Sequence, residues 1–206
     1  MSTVEVETPS GIARAHLHPV DEPRVALVLG HGAGGGIASG DLTASMEGAR
    51  AEGASVALVE QPYRVAGRRS PPPARALDLA WTAVIDHLRA GPLRGLPLVG
   101  GGRSSGARVA CRTTRATQAV GVLCLAFPLA PPRRNGPPAP SRLDELDAVT
   151  VPALVVQGAR DPFGLPPAGP QRTVVVVPGD HALRADLPAV SAAVRAWLAG
   201  VIAELG

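Results

Sequence analysis

Val4 and Val6 alternate with Glu5 and Glu7, and after Pro9-Ser10-Gly11 the alternation resumes from Ile12 to His18. Alternation at period two predicts a β-hairpin over about 3–18. The apolar segments that follow are different. Val25 to Leu29, Ser55 to Val59, Leu96 to Val99, Ala119 to Ala126, Pro152 to Val156 and Thr173 to Val177 are short, nearly continuous runs. Strands buried on both faces of a parallel sheet read this way. Helical patterns lie between most of them. One runs from Asp41, a candidate cap, to about Glu52. A second spans about Pro73 to Ala90, with Leu77, Leu79, Ala80, Val84 and Leu88 as its apolar face. Others are expected from Ser105 to about Thr114, over Arg142 to Leu146, and from Ala189 to about Glu204. The segment with Tyr63, Arg64, Arg68 and Arg69, and the Pro-rich stretch from Phe127 to Pro140, read as loops.

Strands that alternate with helices predict a three-layer α/β fold, a mostly parallel sheet of about seven to eight strands with helices on both faces. No insertion is long enough for a cap and no segment repeats. The 206 residues suit one domain, 1–206.

Composition sharpens this picture in three ways. Hydrophobic residues make up 46% of the chain and aromatics 2%, so core and pocket should be aliphatic. The 20 basic residues are all Arg, scattered and hardly interleaved with aromatics, at a net charge of +3. That argues against nucleic acid as a partner. Cys111 and Cys124 form no disulfide framework, and Cys124 reads as a small buried hydrophobe. The first residues carry acids and no apolar h-region, and no apolar stretch reaches about 18 residues. Hence no membrane partner is expected, and the cytoplasm is the expected location.

The chemistry gathers where the predicted strands end. Gly102-Arg103-Ser104-Ser105-Gly106 lies between a strand and a helix. A turn that tight strains the central residue, lifts its oxygen clear of the sheet, and points the first amides of the helix at a developing oxyanion. Ser104 is therefore the candidate nucleophile. Asp161 follows the strand ending at Val156, and His181 follows the strand ending at Val177. In that chain order Asp161 would orient the imidazole and His181 would take the Ser104 proton. Asp180 is a rival acid, poorly placed beside His181. The loop His31 to Gly36 offers a second oxyanion amide, assigned to Ala33 with Gly34 in reserve, to pair with that of Ser105. His31 is expected to brace this loop. Gly30-x-Gly32-x-x-Gly35, with Glu60 after the next strand, also matches a dinucleotide fingerprint. However, Ile37 to Asp41 separate it from the helix, and Glu60 lies too far along. His16 and His18 share a strand face as a conceivable metal pair, but solvent-facing side chains are the simpler reading. His87 reads as exposed.

The blocks GHGAGGG, QPYRVAGRRSPPP, GGRSSGARVA, PLAPP, VQGARDPFG and GDHAL occur in order and cover nearly everything from Val25 onward. Together they resemble the small α/β-hydrolases related to dienelactone hydrolases, closest to the group with testis-expressed and chromatin-complex members. The resemblance implies a cap-less fold, a Ser104, Asp161 and His181 triad, and Tyr63, Arg64 and Arg69 near the active site. Where such proteins often carry Met after the nucleophile, Ser105 stands here, and Ala107 stands where they carry Gly.

The expected activity is hydrolysis of a small ester or thioester through an acyl-enzyme, with no metal and no cofactor. The expected partner is a small molecule. Arg64, Arg68, Arg69, Arg103, Arg133 and Arg134 all follow strands or stand in the elbow, so an anionic substrate group is favoured. A homodimer is allowed but not required. The competing readings are a non-catalytic interaction module on the same fold and, behind it, a dinucleotide-binding protein.

Overall fold

The computed structural model describes residues 2–133, 135–137 and 139–206. Its eight strands form one sheet in the order β1-β2-β4-β3-β5-β6-β7-β8. They are β1 (Ser2–Thr8), β2 (Gly11–His18), β3 (Val25–Gly30), β4 (Ala54–Glu60), β5 (Leu98–Arg103), β6 (Gly121–Leu125), β7 (Ala153–Gly158) and β8 (Arg172–Val177). The hairpin β1–β2 joins antiparallel to β4, and β3 to β8 run parallel. The helices are α1 (Gly40–Ala51), α2 (Pro62–Val65), α3 (Ala74–Ala90), α4 (Ser105–Thr117), α5 (Leu143–Asp147) and α6 (Leu187–Leu205).

The two faces of the sheet hold separate cores. Val25, Leu27 and Leu29 of β3 pack on the side of α1 and α6, while Ala26 and Val28 meet α3 on the other. Alternate residues of a strand face opposite ways, so a run buried throughout feeds both layers. A third cluster joins α4 and α5 to β6 and β7 through Cys111, Cys124 and Phe127. The two cysteines are free and buried, with sulfurs 3.5 Å apart.

Several expectations need correction. The strand expected over 96–99 is displaced to Leu98–Arg103, because its glycines complete the ladder with β3 and β6. Leu79 is 48% exposed. It lies about 200° around the helix from Leu77, so the buried face is Leu77, Ala80, Val84 and Leu88, as expected, joined by Trp81 and Ile85 in place of Leu79. The helix after Ser105 runs on to Thr117. Tyr63 sits in a single helical turn, α2, where a loop was expected. Asp41 does not cap α1. Ser39 holds the cap position, and Asp41 is buried in the first turn. Helix α6 is long and apolar enough to cross a membrane by length and composition, with a mean hydropathy of 1.3, although no such stretch was expected. Its stripe Val190, Val194, Leu198 and Val201 is packed into the core beside α1.

A crossing at backbone contact lies at the start of α4. A Cβ on Gly106 would overlap the Gly30 carbonyl, whereas one on Gly36 would meet open space. Overpacking of this kind costs about 3 kcal/mol. In urea titrations Gly106→Ala should lower the free energy of unfolding by that much, and Gly36→Ala should leave it within about 0.5 kcal/mol of the parent. Equal midpoints for the two variants would contradict this account of the crossing.

Candidate active site

The carboxyl ends of the parallel strands bring the polar residues together, as open α/β sheets do. His31 follows β3, Tyr63 follows β4, Ser104 follows β5, Asp161 follows β7 and His181 follows β8. Ser104 stands at φ 51°, in the left-handed region that non-glycine residues avoid. Its N–H donates to Leu125 at 2.8 Å, and its carbonyl accepts from Arg108 at 3.2 Å, which holds the strained turn from both sides.

The Ser104 hydroxyl lies 3.0 Å from His181 Nε2, and His181 Nδ1 lies 2.8 Å from Asp161 Oδ2. A carboxylate requires a donor, so Nδ1 carries the proton and Nε2 is free to accept from Ser104. The Asp161 side chain is fully buried. It is satisfied by His181, by the Phe163 N–H at 2.9 Å and by the Gln157 amide at 2.8 Å. The Phe163 ring lies against the imidazole, with centroids 4.3 Å apart. Gly158 makes the meeting of Asp161 and His181 possible, because a Cβ there would overlap the Asp180 carbonyl. Asp180 is not the orienting acid: its carboxylate is exposed and accepts from the Ala182 N–H.

The glycine loop is held by side chains. His31 Nδ1 lies 2.8 Å from the Gly32 carbonyl, and His31 Nε2 accepts from the Gln61 N–H at 3.1 Å. The Gly35 N–H reaches the same Gly32 carbonyl at 3.2 Å. A planar peptide points its N–H opposite its C=O, so pinning Gly32 fixes where the Ala33 N–H points. Tyr63 likewise donates to the Ala33 carbonyl at 2.8 Å, which orients the Gly34 N–H. A Cβ on Gly32 would lie 3.6 Å from the Ser104 Cβ, so the loop borders the hydroxyl. Ser105 opens α4, so its N–H has no acceptor within the helix. The close approaches at Gly30 and Gly32 are occupied by Trp81, Gly106 and Arg103, and buried Asp41 follows the loop. Those contacts are internal, and a carboxylate at that helix start disfavours a dinucleotide phosphate.

The arginines divide. Arg103 lies against Asp41 and the His181 carbonyl, so it is not a free anion grip as expected. Arg68 and Arg69 are exposed, and Arg64 donates to the Arg68 carbonyl at 3.4 Å. Arg133 is exposed and Arg134 lies outside the described residues. His16 pairs with Glu60 and Thr3. Among the described residues no cluster of three or more His, Cys, Asp or Glu could hold a metal. Sequence reasoning missed Gln157, Phe163 and the Asp41 partner of Arg103. A Gln inside the apolar run of β7 was the available signal for the first.

An alpha/beta hydrolase domain model matches residues 23–184. The chain belongs to the α/β hydrolase family. Solved structures share the hydrolase fold at low identity. A lid-less α/β serine hydrolase from Xanthomonas campestris has a TM-score of 0.74 and 19% identity, over 96% of this chain and 93% of that one. Est1E from Butyrivibrio proteoclasticus has 0.77 and 16%, over 98% and 100%. A dienelactone hydrolase from Anabaena variabilis has 0.73 and 16%, over 96% and 95%. No curated protein matches this hydrolase in sequence.

Burial, above all, pushes the His31 pKa below its usual value, with the Arg64 charge adding to it and the Gly32 bond opposing it. The folded hydrolase therefore holds His31 neutral. That contribution to stability is fully present above about pH 6.5, the unfolded value. It is lost as pH falls from there toward the lower folded pKa, because the unfolded chain takes up the proton first. The denaturation midpoint should drop between about pH 7 and about pH 5, and drop less in His31→Gln. Identical pH slopes would refute the assignment.

Proposed function

We propose that this hydrolase cleaves a small ester or thioester through an acyl-enzyme on Ser104. The observation that carries the reading is the hydrogen-bonded path from Ser104 through His181 to buried Asp161. In the proposed cycle Ser104 Oγ attacks the carbonyl carbon while His181 Nε2 takes its proton. The imidazolium then hands that proton to the departing alcohol or thiol. Water, deprotonated in turn by His181, releases the acid and restores Ser104. Asp161 keeps Nδ1 protonated and stabilises the imidazolium. The N–H groups of Ala33 and Ser105 would receive the oxyanion, each worth about 3 kcal/mol of transition-state stabilisation.

A cleft of about 350 Å³ adjoins His181 through Phe163, and Leu129, Pro131 and Pro132 also line it. That is near the lower end of the ~300–1,000 Å³ usual for small-molecule sites, and it suits compact, mainly apolar groups. A cleft of about 390 Å³ between α5 and the starts of β7 and β8 lies at the opposite end of the strands, away from Ser104. Half-buried Arg64 and exposed Arg68 and Arg69 keep a preference for an anionic substrate within the proposal. Placement near the testis-expressed and chromatin-complex group belongs to it as well, on the sequence blocks alone.

A fluorophosphonate probe should label Ser104 and no other residue, and Ser104→Ala should abolish labelling while the protein stays folded. Asp161→Asn should slow acylation by about 10⁴-fold. An unlabelled wild-type protein would favour the non-catalytic interaction module. On a panel of esters, butanoyl should turn over faster than dodecanoyl, and a terminal carboxylate should raise kcat/KM at low salt. The reverse order in acyl length would show that the cleft beside Phe163 does not receive the acyl group.

A further inference from the structure

We infer that Arg103 is a positioning residue, held by Asp41, that ties the nucleophile turn to the His181 loop and the glycine loop. This rests on the reading of Ser104 and His181 given above. The Arg103 backbone is the last residue of β5, immediately before Ser104. Its side chain turns inward and is 18% exposed. Three nitrogens face three segments. Nε lies 2.8 Å from Oδ2 of Asp41, whose side chain is fully buried in the first turn of α1. Nη2 donates to the main-chain carbonyl of His181 at 2.9 Å. Nη1 lies against Gly32, so close that a Cβ there would stand 2.9 Å away.

The geometry accounts for the choice of side chain. A guanidinium is planar and presents its donors in a fixed fork, so one group can meet partners in different directions at a set spacing. Lysine's three donors radiate from one nitrogen, so they do not reproduce the spacing at which the fork meets Asp41, the His181 carbonyl and Gly32. The Asp41 charge, out of contact with water, draws the guanidinium inward, away from the mouth where it could grip a substrate. The carbonyl it grips belongs to the residue whose Nε2 must stay in line with Ser104 Oγ. A shift of about 1 Å between reacting groups can cost about 100-fold in rate. The tie therefore acts on rate rather than on substrate affinity.

The test compares wild type, Arg103→Lys, and a double variant carrying Asp41→Asn with Arg103→Met. Removing both charges together avoids leaving one buried without a partner, so the double variant should fold and melt close to the wild type. The measurements are kcat and KM for a neutral p-nitrophenyl butanoate, the same for a carboxylate-bearing ester, and the rate of fluorophosphonate labelling. In the double variant kcat and the labelling rate should fall about 100-fold, with KM for both esters unchanged. Arg103→Lys keeps a charge opposite Asp41 and should still lose most of the kcat; it carries the test if the double variant does not fold. Wild-type kcat in either variant overturns the inference, and so does an effect confined to the KM of the carboxylate ester. A wild type that resists labelling overturns the reading of Ser104, and this tie with it. A labelled wild type with unaffected variants overturns the tie alone.

Discussion

The first turn of α4 crosses the end of β3 at backbone contact, and the rest of the site hangs on that crossing. Gly106 lies on the Gly30 and His31 carbonyls with no room for a side chain. The contact forces the chain to leave β5 and enter α4 within one residue, and that residue is Ser104 at φ 51°. The strain is local, and the ladders around it are not. Bonds from Ser104 to β6 and from Arg108 back to Ser104 fix both sides of the turn. The same approach brings the glycine loop beside the hydroxyl, so one steric fact places two parts of the machinery.

Electrostatics complete what the crossing begins. Two carboxylates are buried near Ser104, and each is compensated differently. Asp161 receives three hydrogen bonds, one of them from the imidazole it orients. Asp41 faces a guanidinium. A buried charge without such partners would be strongly destabilising. Each acid therefore dictates the position of its partner as firmly as any packing contact, and each partner lies on a different strand end.

The sequence made the parallel strands, the Ser-Asp-His order and the glycine loop readable because each is local: a run, a spacing, a turn. It misread what depends on distant partners. Arg103 looked like a mouth arginine because it stands in the elbow, and nothing near it in the chain reveals that Asp41, far earlier in the sequence, turns it inward. Leu79 was misplaced by counting apolar residues without following the helical angle. Gln157 was overlooked although a lone polar residue inside an apolar strand has to be satisfied by something, and here it is satisfied beside Asp161. Asp180 could be set aside from its neighbour in the sequence, and its exposed turn agrees.

The scarcity of rings has an optical consequence. The chain has two tryptophans. Trp81 is 1% exposed and lines the small void shared by His31, Gln61 and Ser105. Trp197 belongs to α6 and lies against Gly121, at the amino end of β6. The two indoles therefore sit at opposite ends of the parallel strands in different surroundings, one sealed and one lining an open cleft. With a single tyrosine in the chain, the two indoles dominate its near-ultraviolet absorption, one beneath the Ser104 turn and one at the far rim.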